Sequence, residues 1–323
     1  MSEKTEWQSA RLRAVQNLTA DIRLFEIEPE RFVAPAPGSH IDVAVRIGER
    51  PDTRSYSLVG PCTDGIYRIA VKLLAHTRGG SAYMWSLAPG ARLGISAPKN
   101  HFDLGLGRPD YLLVAGGIGI TPICGMALAL HHAGARVRVL YAARRASDLA
   151  FADDLAGVLG ERLTRVVSET AGRINFQKEI ATLAPGGELY VCGPIGMLED
   201  AKRAWQASGR PVDQLRFETF ANSGRFANEP FTVTIPRLGK VIEVPRNDTM
   251  LAALEAAGVD MISDCRRGEC GLCALPILEA DGIVDHRDVF FSEAEKAANA
   301  KLCTCVSRVA GGSITVDTAD RPG

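Results

Sequence analysis

Three cysteines in the run Cys265-Arg-Arg-Gly-Glu-Cys270-Gly-Leu-Cys273, followed by Cys303 and Cys305, constrain this chain more than any other feature. The spacing C-x₄-C-x₂-C with a distant fourth thiol is that of a plant-type [2Fe–2S] centre. Three thiolates on one tight loop can wrap such a cluster, and one remote thiolate can close it. Gly268 and Gly271 let the backbone pass close to the inorganic sulfides and aim N–H groups at them. A zinc site or a set of unrelated buried thiols is the alternative. Zinc modules usually pair their ligands as two short Cys-x₂-Cys hooks, which the x₄ gap does not match.

At 323 residues the chain has room for two or three domains. No stretch approaches eighteen consecutive apolar residues, so no membrane partner is expected. The start, Met1-Ser-Glu-Lys-Thr-Glu-Trp7, lacks the apolar core of a signal peptide. Eight cysteines without an export signal suggest a reduced, cytoplasmic protein. A formal net charge of −1 argues against a nucleic-acid partner. The charge is uneven, however. From Phe231 onward there are 10 Lys and Arg against 14 Asp and Glu, a net of −4. An acidic cluster-bearing segment on a mildly basic body suggests electrostatic docking; a merely solvated acidic surface is the alternative.

The first hundred residues read as short alternating strands with turn punctuation, including Ile22–Ile27, His40–Arg46 and Ile66–Lys72. That pattern predicts an antiparallel β-barrel over 1–104. From 105 to 222 apolar runs alternate with helical patterns: Tyr111–Ala115, a helix over Pro122–His132, Arg136–Tyr141, Glu188–Cys192 and a helix over Gly196–Ser208. Such alternation predicts a parallel α/β sheet. A polar stretch at 223–230 reads as a linker. Beyond it, 231–323 offers a hairpin (Phe231–Ile235, Lys240–Val244), a helix (Met250–Ala257) and the cysteine loop, an order suited to a small α+β, β-grasp-like ferredoxin domain.

Two further motifs accompany the cysteines. Arg54-Ser55-Tyr56-Ser57 stands at the end of a barrel strand and Arg78-Gly79-Gly80-Ser81 before a helix-like stretch. Arg grips a phosphate bidentately, Tyr offers a flat face to an aromatic ring, and glycines at a helix start expose N–H groups to an anion. The second motif, Gly116-Gly117-Ile118-Gly119-Ile120-Thr121-Pro122, follows a buried strand, and Cys192-Gly193-Pro194 follows another. Ligands of open α/β sheets bind at such strand ends. The pattern is not G-x-G-x-x-G, so an ordinary Rossmann dehydrogenase is not expected.

R-x-Y-S, then G-G-x-G-x-T-P, then C-G-P, in that order, resembles the ferredoxin–NADP reductase superfamily. With a C-terminal ferredoxin segment, the chain is similar to the phthalate dioxygenase reductase and vanillate demethylase reductase family, reductase components of two-component Rieske oxygenases. The likeness extends through Ala70–Lys72, Phe217–Phe220, Asp285–Asp288 and Cys305–Arg308. It implies that Arg54 binds the phosphate of a flavin, that Tyr56 lies against its ring and that Ser57 sits near N5. Lys72, Gly79, Gly80 and Ser81 would complete that pocket. Gly116, Gly117, Gly119 and Thr121 would line the pyridine-nucleotide site, with Cys192 near the nicotinamide and Phe220 covering the flavin; simple packing is the alternative for these last two. Thr304-Cys305-Val-Ser-Arg308 looks like the closing motif of ferredoxin-type domains, which favours Cys305 over Cys303 as the fourth cluster ligand.

The implied function is an NADH-dependent reductase with FMN and a [2Fe–2S] cluster, feeding electrons to a terminal Rieske non-haem iron oxygenase. The FMN expectation rests on the absence of an evident extra loop to hold an adenine. No catalytic acid or base is expected, and His76, His101, His131, His132 and His286 read as surface or capping residues. The alternative is a stand-alone iron–sulfur carrier or redox sensor that does not turn over nucleotide. Arg144 and Arg145, after the second α/β strand, leave the choice of NADH or NADPH open.

Overall fold

A computed structural model describes residues 6–73, 79–220, 226 and 228–318. The chain divides into two compact units, one running to Glu218 and the other beginning at Thr219.

The first unit contains two sheets. A curled antiparallel sheet is built from β1 (Trp7–Asn17), β2 (Ile22–Pro29), β3 (His40–Ile47), β4 (Arg50–Ser57), β5 (Tyr67–Lys72) and, after helix α1 (Gly80–Ser86), β6 (Arg92–Ser96), in the order β4-β3-β6-β1-β2-β5. An isolated bridge between Leu58 and Ile69 brings its two edges together. The strands alternate as a one-sided sheet should: Phe25 and Ile27 of β2 point into one core, as do Ile41, Val43 and Val45 of β3.

The second sheet is parallel. Its strands are β7 (Tyr111–Gly116), β8 (Val137–Ala143), β9 (Leu163–Val167), β10 (Glu188–Cys192) and β11 (Leu215–Glu218), in the order β11-β10-β7-β8-β9. Helices α2 (Ile120–His132), α3 (Ala152–Leu159), α4 (Ser168–Ala171), α5 (Phe176–Ala181) and α6 (Ile195–Ala207) connect them. All six residues of β7 and all five of β10 are buried, which is why these segments are apolar throughout rather than alternating. The two sheets share a core in which Ile22 and Ala70 pack with Tyr111, Ile120, Ile123 and Tyr190.

The second unit is a mixed sheet of β12 (Phe231–Ile235), β13 (Lys240–Val244), β14 (Ala274–Asp285), β15 (Lys301–Cys303) and β16 (Arg308–Val316), ordered β13-β12-β16-β14-β15. β12 and β16 are parallel neighbours, whereas β14 runs antiparallel to both β15 and β16. Helix α7 (Met250–Ala256) packs Met250 and Leu254 into that sheet's core, and α8 (Glu293–Ala298) lies between β14 and β15 in sequence. The thiol loop spans the turn between α7 and β14. Half of the anticipated linker at 223–230 lies outside the described residues, as do Arg78 and His76.

Candidate cofactor and nucleotide sites

At the end of β4 the Arg54 guanidinium is held from one side only. Its Nη1 lies 2.7 Å from Asp52 Oδ2 and donates to the Thr53 carbonyl, while Nη2 is buried without a hydrogen-bond partner. A Cβ on Gly80, the first residue of α1, would come within 2.6 Å of Arg54 Nε, so the guanidinium lies directly against the helix start. Next to it Ser81 Oγ is likewise buried and unpartnered. Two orphaned buried donors at one place are costly unless an anion accepts from them. Gly79 reaches this geometry with φ +104, and a side chain there would strike Ile47. These residues fit the phosphate of a flavin.

The other flavin candidates divide. Tyr56 is largely buried, which pushes its hydroxyl pKa up, as suits a ring used for its face rather than its proton. Ser55 points away and donates to Asp42 Oδ1 at 2.6 Å. Lys72 lies 3.2 Å from Asp21 Oδ2. Ser57 donates to Glu218 Oε2 at 3.4 Å, and Glu218 is only 2% exposed. Sequence reading missed Glu218, for the only local signal was its place in Phe217–Phe220, and its partner lies on another sheet.

The nucleotide motifs converge. Strand order reverses between β7 and β10, and at their carboxyl ends Cys192 lies beside Ala115, the residue before Gly116. A Cβ on Gly119 would lie 2.2 Å from the Cys192 carbonyl oxygen, and one on Gly116 would lie 2.7 Å from Pro194 Cδ. The two turns thus touch backbone to backbone, which only glycine permits. Gly117, by contrast, has φ +55 and open space beyond its α-carbon. Gly193 packs on Gly116 and Met197. Thr121 is buried and donates to the Ile118 carbonyl, so it shapes the turn, and Pro122 sits buried in the first turn of α2. A crevice at a strand-order reversal is where open α/β sheets take dinucleotides. Phe220 belongs to the second unit and is 36% exposed.

In the second unit the amides of Arg267, Glu269 and Cys270 all point at Cys265 Sγ, each at 3.4 Å. Burial raises the Cys265 pKa and these three donors oppose it. Hydrogen bonds from Cys303 and then Cys305 lower the Cys273 thiol's pKa from its ordinary value. Cys305 also faces Cys265 and accepts from the Gly268 amide, whereas Cys303 sits in β15 opposite Ala274. Thr304 between them donates through both its amide and its hydroxyl to the Cys273 carbonyl. Gly268 and Gly271 have φ +77 and +72, and their α-carbons abut Asp288 with Val306, and the Phe290 ring, respectively. Among the described residues no three His, Cys, Asp or Glu side chains converge on a single ion. A two-iron cluster divides its ligands between two metals and asks for a wider set. The converging amides and thiols fit such a cluster.

Arg266 pairs with Glu255 and Arg267 with Glu269, so the two loop arginines are already balanced. His286, expected as a surface or capping residue, has a side chain only 8% exposed; its Nε2 lies 2.8 Å from Oδ1 of Asn299, the residue that caps α8. It is drawn inside because Asp285, Arg287 and Asp288 around it are buried, with Arg287 Nε donating to Asp285 at 2.8 Å.

Comparison with known proteins agrees with this layout. The family model of the 2Fe-2S iron-sulfur cluster binding domain matches residues 233–310, and that of the oxidoreductase NAD-binding domain matches 113–203. The chain is 36% identical over 318 residues to phenoxybenzoate dioxygenase subunit beta of Ectopseudomonas oleovorans, covering 96% of this chain and 97% of that one. It is 36% identical over 311 residues to the heme-dependent oxidative N-demethylase beta subunit of Ectopseudomonas mendocina, covering 95% and 97%. The solved structure of phthalate dioxygenase reductase, described as a modular structure for electron transfer from pyridine nucleotides to [2Fe-2S], superposes with a TM-score of 0.76 at 29% identity, covering 96% of this chain and 98% of that one.

Proposed function

The chain belongs to the family of oxygenase reductase subunits typified by phthalate dioxygenase reductase, and on that premise we propose that it passes electrons from NADH through FMN and its [2Fe–2S] cluster to a terminal Rieske non-haem iron oxygenase. We assign residues 1–104 to flavin binding, 105–222 to nucleotide binding and 231–323 to the cluster, with 223–230 as the joint.

The observation that carries this reading is the paired orphan donors Arg54 Nη2 and Ser81 Oγ in the same unit as the β7–β10 crevice. A stand-alone iron–sulfur carrier has no use for either. Flavin, when bound, takes the nicotinamide's electron pair and releases it singly, which a one-electron cluster requires. The protein's part is placement. Arg54, Gly80 and Ser81 anchor a terminal phosphate, which suits FMN. Tyr56 supplies a ring face, and the Ser57 proton is held on Glu218 Oε2, out of water. Gly116, Gly117, Gly119 and Cys192–Pro194 keep the crevice open to a dinucleotide. In the second unit Cys265, Cys270, Cys273 and Cys305 hold the cluster, while loop amides stabilise its charge.

A Rieske partner is favoured by the phthalate and vanillate systems that the sequence resembles; a haem partner is the second reading, favoured by the likeness to the N-demethylase subunit. No helix among the described residues is long and apolar enough to cross a membrane. Eight cysteines, none of them in a disulfide, suit the cytoplasm. The test is anaerobic titration with NADH: flavin and cluster absorbance should both bleach, and flavin released by denaturation should be FMN. A purified chain that keeps its colour with NADH is a carrier or sensor instead. Addition of a Rieske oxygenase or a haem demethylase would then show which one reoxidises the reduced chain.

A further inference from the structure

A dinucleotide laid across the β7 turn directs its adenosine ribose toward the end of the neighbouring strand β8. The two residues that follow β8 are Arg144 and Arg145, whose side chains are 80% and 63% exposed. Two free guanidiniums there would form a 2′-phosphate site. Neither is free. Arg144 Nε lies 2.9 Å from Glu169 Oε1, and the Glu169 amide donates to the Arg144 carbonyl, so backbone and side chain fix the pair together. Arg145 Nε lies 3.3 Å from Asp148 Oδ2, and the same carboxylate accepts the Arg145 amide in a capping box. The Asp21 carboxylate, paired with Lys72, acts on Arg145 as well. The four residues at the β8 end carry no net formal charge.

We propose that Glu169 and Asp148 are specificity-determining residues: they neutralise the Arg144–Arg145 pair and so exclude NADPH. The inference rests on the reading of the β7–β10 crevice as the nucleotide site. A 2′-phosphate would bring its negative charge beside two carboxylates already bound to the Arg144 and Arg145 guanidiniums, whereas a ribose 2′-hydroxyl can donate to either carboxylate.

The test uses the intact reductase and two probes, 5′-AMP and 2′,5′-ADP, with affinities measured by calorimetry. Glu169→Gln and Asp148→Asn keep shape and remove charge. Each should tighten 2′,5′-ADP, and the double variant should do so about tenfold, since exposed pairs are worth about 1 kcal/mol or less apiece. Neither should tighten 5′-AMP. The gain should vanish on adding Arg144→Gln to the double variant, and should shrink with salt. The KM for NADPH should fall in parallel. Unchanged 2′,5′-ADP affinity, or equal tightening of both probes, overturns the proposal while leaving the nucleotide site in place. Failure of the unmodified reductase to bind 5′-AMP overturns the site and the proposal together.

Discussion

The Ser57 hydroxyl at the end of β4 donates to the Glu218 carboxylate at the end of β11, across 3.4 Å and 161 positions of sequence. The bond joins the last residue of a strand in the curled sheet to the last residue of a strand in the parallel one. It puts a buried carboxylate beside the residue that the family resemblance places near the flavin N5. Glu218→Gln should retain bound flavin yet slow its bleaching by NADH about tenfold or more, in line with the usual loss of a positioned proton-holding group. Stopped-flow absorbance reads this directly; unchanged rates would make the contact purely structural.

Arg54→Gln should weaken flavin retention. Loss of a charge-assisted contact costs about 1.5–3 kcal/mol, so the flavin Kd should rise roughly ten- to hundredfold. Equilibrium dialysis checks it, and the cluster absorbance, housed in the other unit, should not change.

Cys305→Ser should abolish most of the cluster absorbance while NADH still bleaches the flavin. Cys303→Ser should keep the cluster, because Cys303 lies in β15 and lacks the Gly268 amide that Cys305 accepts. Bleaching of the cluster in Cys303→Ser would reverse the assignment.

Gly271→Ala should cripple cluster assembly without unfolding the unit. A left-handed backbone costs a non-glycine residue about 1–2 kcal/mol, and the new methyl would sit 2.4 Å from the Phe290 ring. Adding Phe290→Ala removes the collision but not the backbone strain, so recovery should be partial. Iron content per chain is the readout.

Acid stability should depend on Asp42. Burial would raise its pKa, but hydrogen bonds from Lys99 and Ser55 outweigh that and hold it low. A depressed carboxylate contributes stability above its unfolded value of about 3.9, lost as pH falls through the lower folded value. The Tm should therefore drop below about pH 4, and Asp42→Asn should flatten that part of the profile. An identical profile in the variant would assign the acid loss elsewhere.

Glycine motifs and thiol spacing were legible because each is demanded by a local collision or a local ligand set: Gly119 has no room for a methyl against Cys192. The parallel strands were legible because burial on both faces leaves an unbroken apolar run. β1 was not, since a register shift between Leu12 and Ala14 breaks its alternation and half its residues are polar. Glu218 and His286 were hidden for a shared reason. Glu218 meets Ser57 from 161 positions away, and His286 stands among charged neighbours that look like surface until distant partners fold around them. Arg287, one of those neighbours, bonds Asn228 from 59 positions away.

The order of strands in the second unit sets a timetable for biosynthesis. β16, which lies between β12 and β14, is the last of the unit's strands to be translated, and Cys305 immediately precedes it. While the ribosome is still making this region, β12 with β13 and β14 with β15 can exist only as separate two-stranded pairs without a common partner. Marginal two-stranded pieces hold no shape of their own in water. The first three thiols therefore leave the ribosome well before anything positions them. Iron must arrive after β16 has joined the sheet, or a carrier must guard those sulfurs in the interval, and a nascent chain stalled before Arg308 should reach neither the native sheet nor the metal.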